Sequence, residues 1–409
     1  MKVLVFGSCN IDIVYSMDAI VRPAETVSAK SCSTFPGGKG FNQTVALAKA
    51  GVPVCFAGCI GNDGLWLKKL LEENGADTSL LKTVGTQTGH AIIQVDSQGQ
   101  NAIFVCRGAN GEIRREDVDE VLSHFGSGDM IVLQNEISEL FYIIEKASRK
   151  GMRIVLNPSP FDKAFLDLDL ADISYLVVNE TEACAFSGTD NPFDLVTGAK
   201  NKGLPTQILL TLGEKGSVWW DGKKMTRFGV FRTQVVDTTA AGDTFTGYFI
   251  AGLLKADPPE KILETASAAS AAAISRPGAS SSIPTPDEVR YAIKTLRRTD
   301  PLRDERKQKV IGYLKNDLQG ANLFGLSRVL GFSEEYTGKW VSAAFGFGFT
   351  ELLQEERITA AAALLRGSDI LVEEVIAAVG YRNGSHFRKK FREKYGVSPL
   401  RYKKENKLC

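Results

Sequence analysis

An α/β unit with a mostly parallel sheet, helices on both its faces and a small β lid is predicted for the first three quarters of the chain. An all-helical unit is predicted for the rest. Three observations carry this. Short apolar runs alternate with helical stretches closed by glycine from Val3 onward, the signature of strands joined by crossover helices. Two β-rich excursions, 12–35 and 88–106, break that alternation and read as a separate small sheet over one end of the main one. Beyond Pro301 only helical periodicity remains, broken at Gly320, Gly331, Gly346, Gly367 and Gly380.

Val3–Gly7 is a short apolar run ending in glycine, a buried strand. Residues 12–35 alternate and contain Arg22-Pro23, consistent with irregular or edge strands. Pro36–Gly40 reads as a turn, Asn42–Ala50 as a helix closed by Gly51, Val54–Ile60 as a strand, and Leu65–Asn74 as a helix closed by Gly75. Residues 88–106 read as a hairpin turning at Asp96–Gly99. Strands at Met130–Gln134, Arg153–Leu156, Leu176–Val178 and Gln207–Thr211 then alternate with helices at Glu139–Lys150 and Glu180–Phe186, and a hairpin over Ser217–Phe228 turns at Asp221-Gly222. A strand-like Gln234–Val236 precedes a helix over Phe245–Leu254, followed by an alanine-rich buried helix at Ala266–Ala273 and a closing helix at Asp287–Leu296. The expected organisation is a first domain over 1–296, a linker over 297–304 and a second domain over 305–409.

Hydrophobic content of 44% and charged content of 24% fit a globular protein. The net charge of +1 conceals an asymmetry: residues 298–409 hold 20 Lys and Arg against 14 Asp and Glu, a net of +6, and residues 1–297 hold 29 against 34, a net of −5. A basic tail on an acidic main domain points to nucleic acid for the tail. The seven scattered cysteines have no zinc spacing, which predicts reduced thiols. The chain opens directly into a strand and holds no apolar run of membrane-spanning length, so a cytoplasmic protein without membrane contact is expected.

Asp237–Gly247 (DTTAAGDTFTG) places small residues where a helix begins. The amides of a first helical turn lack partners and attract anions, and Ala240-Ala241-Gly242 permits close approach. Asp243 beside such an anion site suits a base that takes a proton from an attacking hydroxyl. Taken alone, the stretch equally reads as a capped helix with an ordinary first-turn Asp. Polar clusters after other predicted strands favour a pocket: Asn10 and Asp12, Gly37–Asn42, Glu136, Asn179–Glu182 and Thr211–Gly213. Such groups supply the donors and acceptors that a polyhydroxylated sugar needs. The sequence has no GxxxxGK[ST] loop, no HRD/DFG set and no GxGxxG in the first βα turn, which excludes P-loop kinases and protein kinases and disfavours Rossmann dehydrogenases.

Residues 1–296 resemble the ribokinase/PfkB family of sugar kinases. The carriers are GSCNID (7–12), GGKGFNQTVALAKAG (37–51), LQNEI (133–137), NPSP (157–160), NETEA (179–183), TLGEKG (211–216), VDTTAAGDTFTG (236–247) and RPGASSSIP (276–284). The resemblance implies a ribokinase-like fold and phosphoryl transfer from ATP to a sugar hydroxymethyl. It implies Asp243 as catalytic base and the amides of Ala240, Ala241, Gly242 and Asp243 as an anion hole. It further implies sugar binding by Asn10, Asp12, Gly38, Lys39, Asn42 and Glu136, and a nucleotide site at Asn179, Thr211, Gly213 and Gly216. Magnesium would be organised through water by Asn179 and Glu182, and an activating potassium ion would sit in a loop of Asp237, Thr239, Ala273, Arg276, Gly278 and Ser282. A homodimer through the lid accords with the family. Cys9 and Phe41 depart from the usual pattern, and Phe41 beside the sugar loop leaves the exact sugar open.

In the tail, Leu323–Leu330 and Glu334–Phe345 flank a turn at Gly331–Ser333, and Leu371–Val379 and Asn383–Tyr395 flank another at Gly380–Arg382. Phe387 and Phe391, four apart, face a core, which leaves Arg382, Arg388, Lys389, Lys390, Arg392 and Lys394 outward. A solvated basic helix would show the same charges. With the glycine turns, the tail resembles the AraC-type DNA-binding domain, through LSRVLGFSEEYTGKWVSAAFG (326–346), ERITAAAALLRGSD (356–369) and VEEVIAAVGYRNGSHFRKKFREKYGVSPLRYKK (372–404). The resemblance implies double-stranded DNA as partner, contacted by Lys339, Arg382, Ser385, His386, Arg388 and Lys389. Trp340, Ala343 and Ala344 stand in the first reading helix where positive residues are usual. The leading expectation is a ribose-type kinase fused to a DNA-binding regulator. The alternatives are a non-catalytic sugar sensor, a kinase for another sugar or nucleoside, and a kinase whose tail only mediates assembly.

Overall fold

The computed structural model describes residues 1–405 apart from residues 99, 368 and 369. Gly99 of the predicted turn, Ser368-Asp369 of the second tail stretch and Cys409 thus lie outside the described residues. The chain divides into two compact units, Met1–Asp300 and Pro301–Cys409.

The first unit is built on a nine-stranded sheet. From one edge its strands are Met225–Phe228, Ser217–Trp220, Gln207–Thr211, Tyr175–Asn179, Arg153–Asn157, Met130–Gln134, Val3–Phe6, Val54–Ile60 and Asp77–Thr83. All neighbours pair in parallel except the hairpin 217–228, which is antiparallel to its neighbour and within itself. The central strands are short apolar runs because helices cover both faces; Val3–Phe6 is buried at every position. The β-rich excursions form a four-stranded lid. In it Asn10–Ser16 pairs antiparallel with Ser31–Gly37 and in parallel with Gly89–Val95, and Asn101–Cys106 forms the far edge.

Several boundaries differ from the sequence reading. Lys39 and Gly40 belong to helix Lys39–Lys49, which Gly38 enters at φ 91°, so the turn is shorter than expected. Helix Ala241–Leu254 likewise begins before Phe245, because Ala240 takes the left-handed conformation at φ 57° and turns the chain there. Gln234–Val236 is not a strand: Val235 and Val236 are 58% and 53% exposed, and β-branched residues without a neighbouring strand make no ladder. The predicted linker 297–304 is structured. Arg298–Thr299 pairs with Val230–Phe231, and helix Pro301–Asn316 starts at the proline. Strand Asp77–Thr83 and helices Arg115–Ser123 and Phe193–Lys202 were not anticipated, since their polar content masks the periodicity.

Helices Lys39–Lys49 and Ala241–Leu254 pack at unusually short range. A Cβ at Gly247 would lie 2.4 Å from the Ala46 Cβ, and one at Gly40 would lie 2.5 Å from the Ser8 backbone nitrogen. Two hydrogen atoms in place of methyl groups thus set the spacing between the first strand, one helix and the next.

The second unit contains helices Pro301–Asn316, Leu323–Leu330, Glu334–Phe345, Phe349–Gly367, Val372–Ala378, Gly384–Tyr395 and Pro399–Glu405. The 19-residue helix Phe349–Gly367 serves two cores. Leu352 and Leu353 close one around Val310, Leu326 and Val341. Ile358, Ala361, Ala362 and Leu365 line another with Val375, Phe387 and Phe391. Ser333 and Asn383 cap the helices that follow the turns.

Replacing Gly247 by Val is expected to lower stability by about 1–3 kcal/mol, the usual range for overpacking, because the added side chain must push the two helices apart. Denaturant melts check this; an unchanged midpoint would show that the helices have room to spare.

Candidate functional site

Asp243 lies in the first turn of helix Ala241–Leu254 and is 6% exposed. Helix Lys39–Lys49 brings two amides to it: Asn42 Nδ2 donates to Oδ2 at 3.2 Å and Gln43 Nε2 donates to Oδ1 at 2.9 Å. The Ala241 amide turns back to the Thr238 carbonyl at 3.2 Å and the Thr244 amide donates to Ala240 at 2.8 Å. The amides of Gly242 and Asp243 therefore stand at the start of the helix, where no earlier turn supplies carbonyls. Gly242 is exposed, and a Cβ there would meet nothing within 4 Å. The packing of the protein does not require this glycine, and the first turn of the helix is open on that side.

The predicted sugar residues gather around the mouth of helix Lys39–Lys49. Glu136 accepts from the Lys39 amide at 2.8 Å and from the Ser8 hydroxyl. Asn10 is 3% exposed, and its Oδ1 accepts from Asn110 Nδ2 at 2.7 Å. Asn110 also accepts from the Cys9 amide at 3.1 Å, which ties the lid to the sheet. Asp12 lies directly against Gly37, where a Cβ would come within 2.2 Å of its carboxylate. Burial, then the neighbouring Glu136 carboxylate, pushes the Asp12 carboxyl up to about 6. Burial alone would push the Lys39 ammonium down. The carboxylates of Asp243, Glu136 and Glu182 outweigh it and hold the Lys39 pKa above its ordinary value. The lysine is a fixed positive charge among these carboxylates.

On the other side of Gly242 lies a cleft of about 520 Å³, lined by Thr211, Gly213, Gly216, Val230, Phe231 and Ala241 among others. Gly213 has φ +53° and open space at its Cβ position, whereas a Cβ at Gly216 would strike the Phe228 carbonyl at 2.2 Å. Gly213 thus faces the cleft, and Gly216 is a glycine for the sake of the hairpin. Asn179 and Glu182 are occupied with each other: Asn179 Oδ1 accepts from the Glu182 amide at 2.9 Å, and Glu182 Oε2 accepts from the Asn179 amide at 3.0 Å. Among the described residues no group of three or more His, Cys, Asp and Glu forms a preassembled metal cage. Asp237 ties two loops together, accepting from the Thr239 amide and hydroxyl at 2.9 and 2.6 Å and from the Gly278 amide at 3.0 Å. Burial pushes its pKa up, but these hydrogen bonds prevail and hold it below the ordinary carboxylate value. Arg276 Nε donates to the Ser282 carbonyl at 2.9 Å, and the Arg276 amide donates to Ala273 at 3.3 Å, which closes the loop 273–282.

In the second unit Phe387 and Phe391 are buried, and Arg382, Ser385, His386, Arg388, Lys389 and Arg392 are exposed. Arg388 pairs with Glu373, Lys390 with Glu393 and Lys394 with Glu355. Arg382, Lys389 and Arg392 are the cations of this helix region without an ion pair among the described residues. The helix of the first turn differs. Lys339 pairs with Glu335 at 2.6 Å, Glu334 stands beside them, Trp340 packs against the core and Ala344 is buried. Ala344 and Trp340 stand where they do because that face is interior, so part of the departure from the usual positive residues is a packing requirement.

Sequence reasoning passed over Ser8, Gln43, Asn110, Gln134 and Asn157. The signal for Gln43 was present: Asn42-Gln43-Thr44 are three successive polar residues in a helix whose residues from Gly40 to Leu47 are buried.

With this geometry, comparison with known proteins places the chain in its class. The pfkB family carbohydrate kinase profile matches residues 1–286, and a helix-turn-helix domain profile matches residues 326–405. The chain belongs to the pfkB family of carbohydrate kinases, with a helix-turn-helix domain of the AraC type at its C-terminal end. Within that family the first unit is a ribokinase-family sugar kinase. It is 36% identical over 295 residues to the ribokinase of Haemophilus influenzae, a match covering 69% of this chain and 95% of that protein. It is 30% identical over 297 residues to the deoxyribokinase of Salmonella typhi, covering 69% and 96%. The structure of Arabidopsis thaliana ribokinase complexed with ribose and ATP superposes with a TM-score of 0.62 at 30% identity, covering 72% of this chain and 98% of that one.

With the Asp12 carboxyl pushed up to about 6, a sugar held by this carboxylate is expected to show a KM that rises as pH falls through about 6, where the group protonates and loses acceptor capacity. Asp12→Asn should flatten that limb of the KM–pH profile. An identical limb in the variant would assign it to another group.

Proposed function

We propose that the first unit transfers the γ-phosphoryl group of ATP to the hydroxymethyl group of a pentose, ribose foremost, and that the second unit binds DNA under the influence of the first. The observation that supports the kinase reading best is the position of Asp243. It is held by two amides, lies next to the open first turn at Gly242, and stands between the Asp12–Lys39–Glu136 cluster and the cleft.

In this reading Asn10, Asp12, Gly38, Lys39, Asn42 and Glu136 hold the sugar hydroxyls. Asp243 takes the proton of the attacking hydroxyl as its oxygen bonds to phosphorus. The amides of Gly242 and Asp243 face the charge that develops on the transferring group. Thr211 and Gly213 line the nucleotide side. The relatives' names favour ribose, with 2-deoxyribose as the competitor. Magnesium, which supplies charge neutralisation to the phosphates when bound, fits Glu182 through water: its Oε2 and the Asn179 Oδ1 are committed to the helix cap, which suits outer-sphere contact with a hydrated ion. Potassium fits the loop around Asp237, whose carboxylate is kept ionised between residues 239 and 278. A lid-to-lid homodimer is supported by edge-strand residues Ile103, Phe104 and Val105, each more than half exposed. ATP and DNA as partners support a cytoplasmic location.

Assaying the full chain with ATP against ribose, 2-deoxyribose, other pentoses and nucleosides tests the kinase reading. Ribose is expected to give the highest kcat/KM, and Asp243→Asn to lose at least about a thousandfold in kcat with sugar binding retained. Near-wild-type turnover in that variant would remove Asp243 as base.

For the DNA reading, the exposed Arg382, Lys389 and Arg392 provide phosphate contacts. A link between the units is supported by the strap that precedes the second one. Thr299 and Arg298 pair with Val230 and Phe231, which line the cleft. The Arg232 amide donates to the Arg297 carbonyl at 2.9 Å, the Arg298 guanidinium stacks 3.9 Å over Phe228, and Arg227 pairs with Asp300. A ligand in the cleft therefore meets the residues that pair with the last strand of the first unit, immediately before the chain enters the second. DNA titrations at several salt concentrations, on sites selected from random sequence, test both points. Replacing Arg382, Lys389 and Arg392 by Ala should lower affinity at least about tenfold and flatten the salt slope while the kinase is spared. Saturating sugar plus an ATP analogue should change wild-type affinity and leave Asp300→Ala unmoved; unchanged wild-type affinity would reject the link.

A further inference from the structure

We infer that Gln43 and Gln134 form a buried amide relay that fixes the orientation of Asp243, with Gln43 as a positioning residue for phosphoryl transfer. The inference rests on Asp243 as the base, proposed above.

The orientation of each amide follows from one backbone group. Asn157 Nδ2 donates to the Val177 carbonyl at 3.0 Å, which turns Asn157 Oδ1 toward helix Lys39–Lys49. There it accepts from Gln43 Nε2 at 3.3 Å. The same NH₂ group donates its other hydrogen to Asp243 Oδ1 at 2.9 Å. Gln43 Oε1 must then face the opposite way, and it accepts from Gln134 Nε2 at 2.7 Å. An amide has two donors on one side and an acceptor on the other, so one fixed carbonyl determines every flip in the chain.

The parts come from neighbouring strand ends. Gln134 and Asn157 are register partners at the last positions of adjacent parallel strands, and Val177 lies in the next strand. Gln43 and Gln134 are both fully buried, where a polar side chain is costly unless it is used. Gln134 Oε1, like Asn42 Oδ1 beside Asp243, has no partner among the described residues, so the site tolerates orphaned acceptors while the amide ends of both side chains are presented as donors. With Oδ1 held by Gln43, the Asp243 carboxylate cannot rotate without breaking that bond. Its Oδ2, which faces Asn42, remains as the oxygen to receive the proton.

The test compares Gln43→Met, Gln134→Met and their combination in the full chain, with Asp243→Asn alongside and with ribose and ATP as substrates. Gln43→Met keeps length and removes both hydrogen-bonding ends. Its kcat should fall on the order of 10- to 100-fold, with the KM values for ribose and ATP unchanged. Gln134→Met should lower kcat by a smaller factor. The double variant should be no slower than Gln43→Met alone, because the relay is already broken. Should Gln43→Met not fold, Gln43→Glu serves: it keeps the length and the bond from Gln134 but turns an oxygen toward Asp243, and its kcat should fall at least as far. Wild-type kcat in the folded Gln43 variant, multiplicative losses in the double variant, or a loss confined to KM would each overturn the relay while Asp243→Asn stays inactive. Turnover retained by Asp243→Asn would overturn the base assignment and the relay with it.

Discussion

The close packing of helices Lys39–Lys49 and Ala241–Leu254 is the constraint on which the site depends. Gly247 against Ala46 sets the distance between them, and Gly40 against Ser8 sets the distance of the first helix from the sheet. Cores at native density respond in discrete steps to an added methyl group, so this spacing is held rather than averaged. It allows short amide side chains from one helix to reach a short carboxylate on the other. An Asp and an Asn have little length with which to compensate for a displaced backbone.

Within that frame the site stores electrostatic cost. Glu136, Asp243 and Glu182 surround one lysine, Asp12 faces Glu136, and burial opposes the ionised state of Asp12. Separated from water, such groups are expensive to hold, which is the arrangement expected where polar ligands are to be received. The neutral amides around them spread the negative charge without adding more. Phe41 is fully buried, so its departure from the usual small residue is accommodated beneath the sugar loop, as interior packing.

Much of this was legible in the sequence where the determinant is local. Strands Met130–Gln134 and Gln207–Thr211 have the boundaries expected from their apolar runs, because nothing but burial on two faces is needed to specify them. Asp243, Lys39, Asn42 and Glu136 stood out in motifs where the backbone signal and the polar group adjoin, and the fold does bring them together. What escaped is non-local or conformational. The partnership of Gln43, Gln134 and Asn157 joins residues about a hundred positions apart, and no periodicity records it. The left-handed Ala240 carries no glycine to announce it. Val235 and Val236 have strand-forming side chains but no strand beside them, while Arg298–Thr299 has an unremarkable composition and does find one. Charge counting placed the cations of the tail; it could not tell that Arg388 is paired with Glu373 and Lys389 is not.

The strap at 297–300 has a consequence for how such a fusion is tuned. It includes a two-residue ladder, the bonds from Arg232 to Arg297 and Thr299, an ion pair whose side chains are 19% and 28% exposed, and a stacked guanidinium. Contacts of this kind sum to a few kcal/mol. That matches the 1–3 kcal/mol typical of coupling between two sites. A ligand in the cleft lined by Val230 and Phe231 would act on this ladder directly, which is the interaction the proposed link relies on.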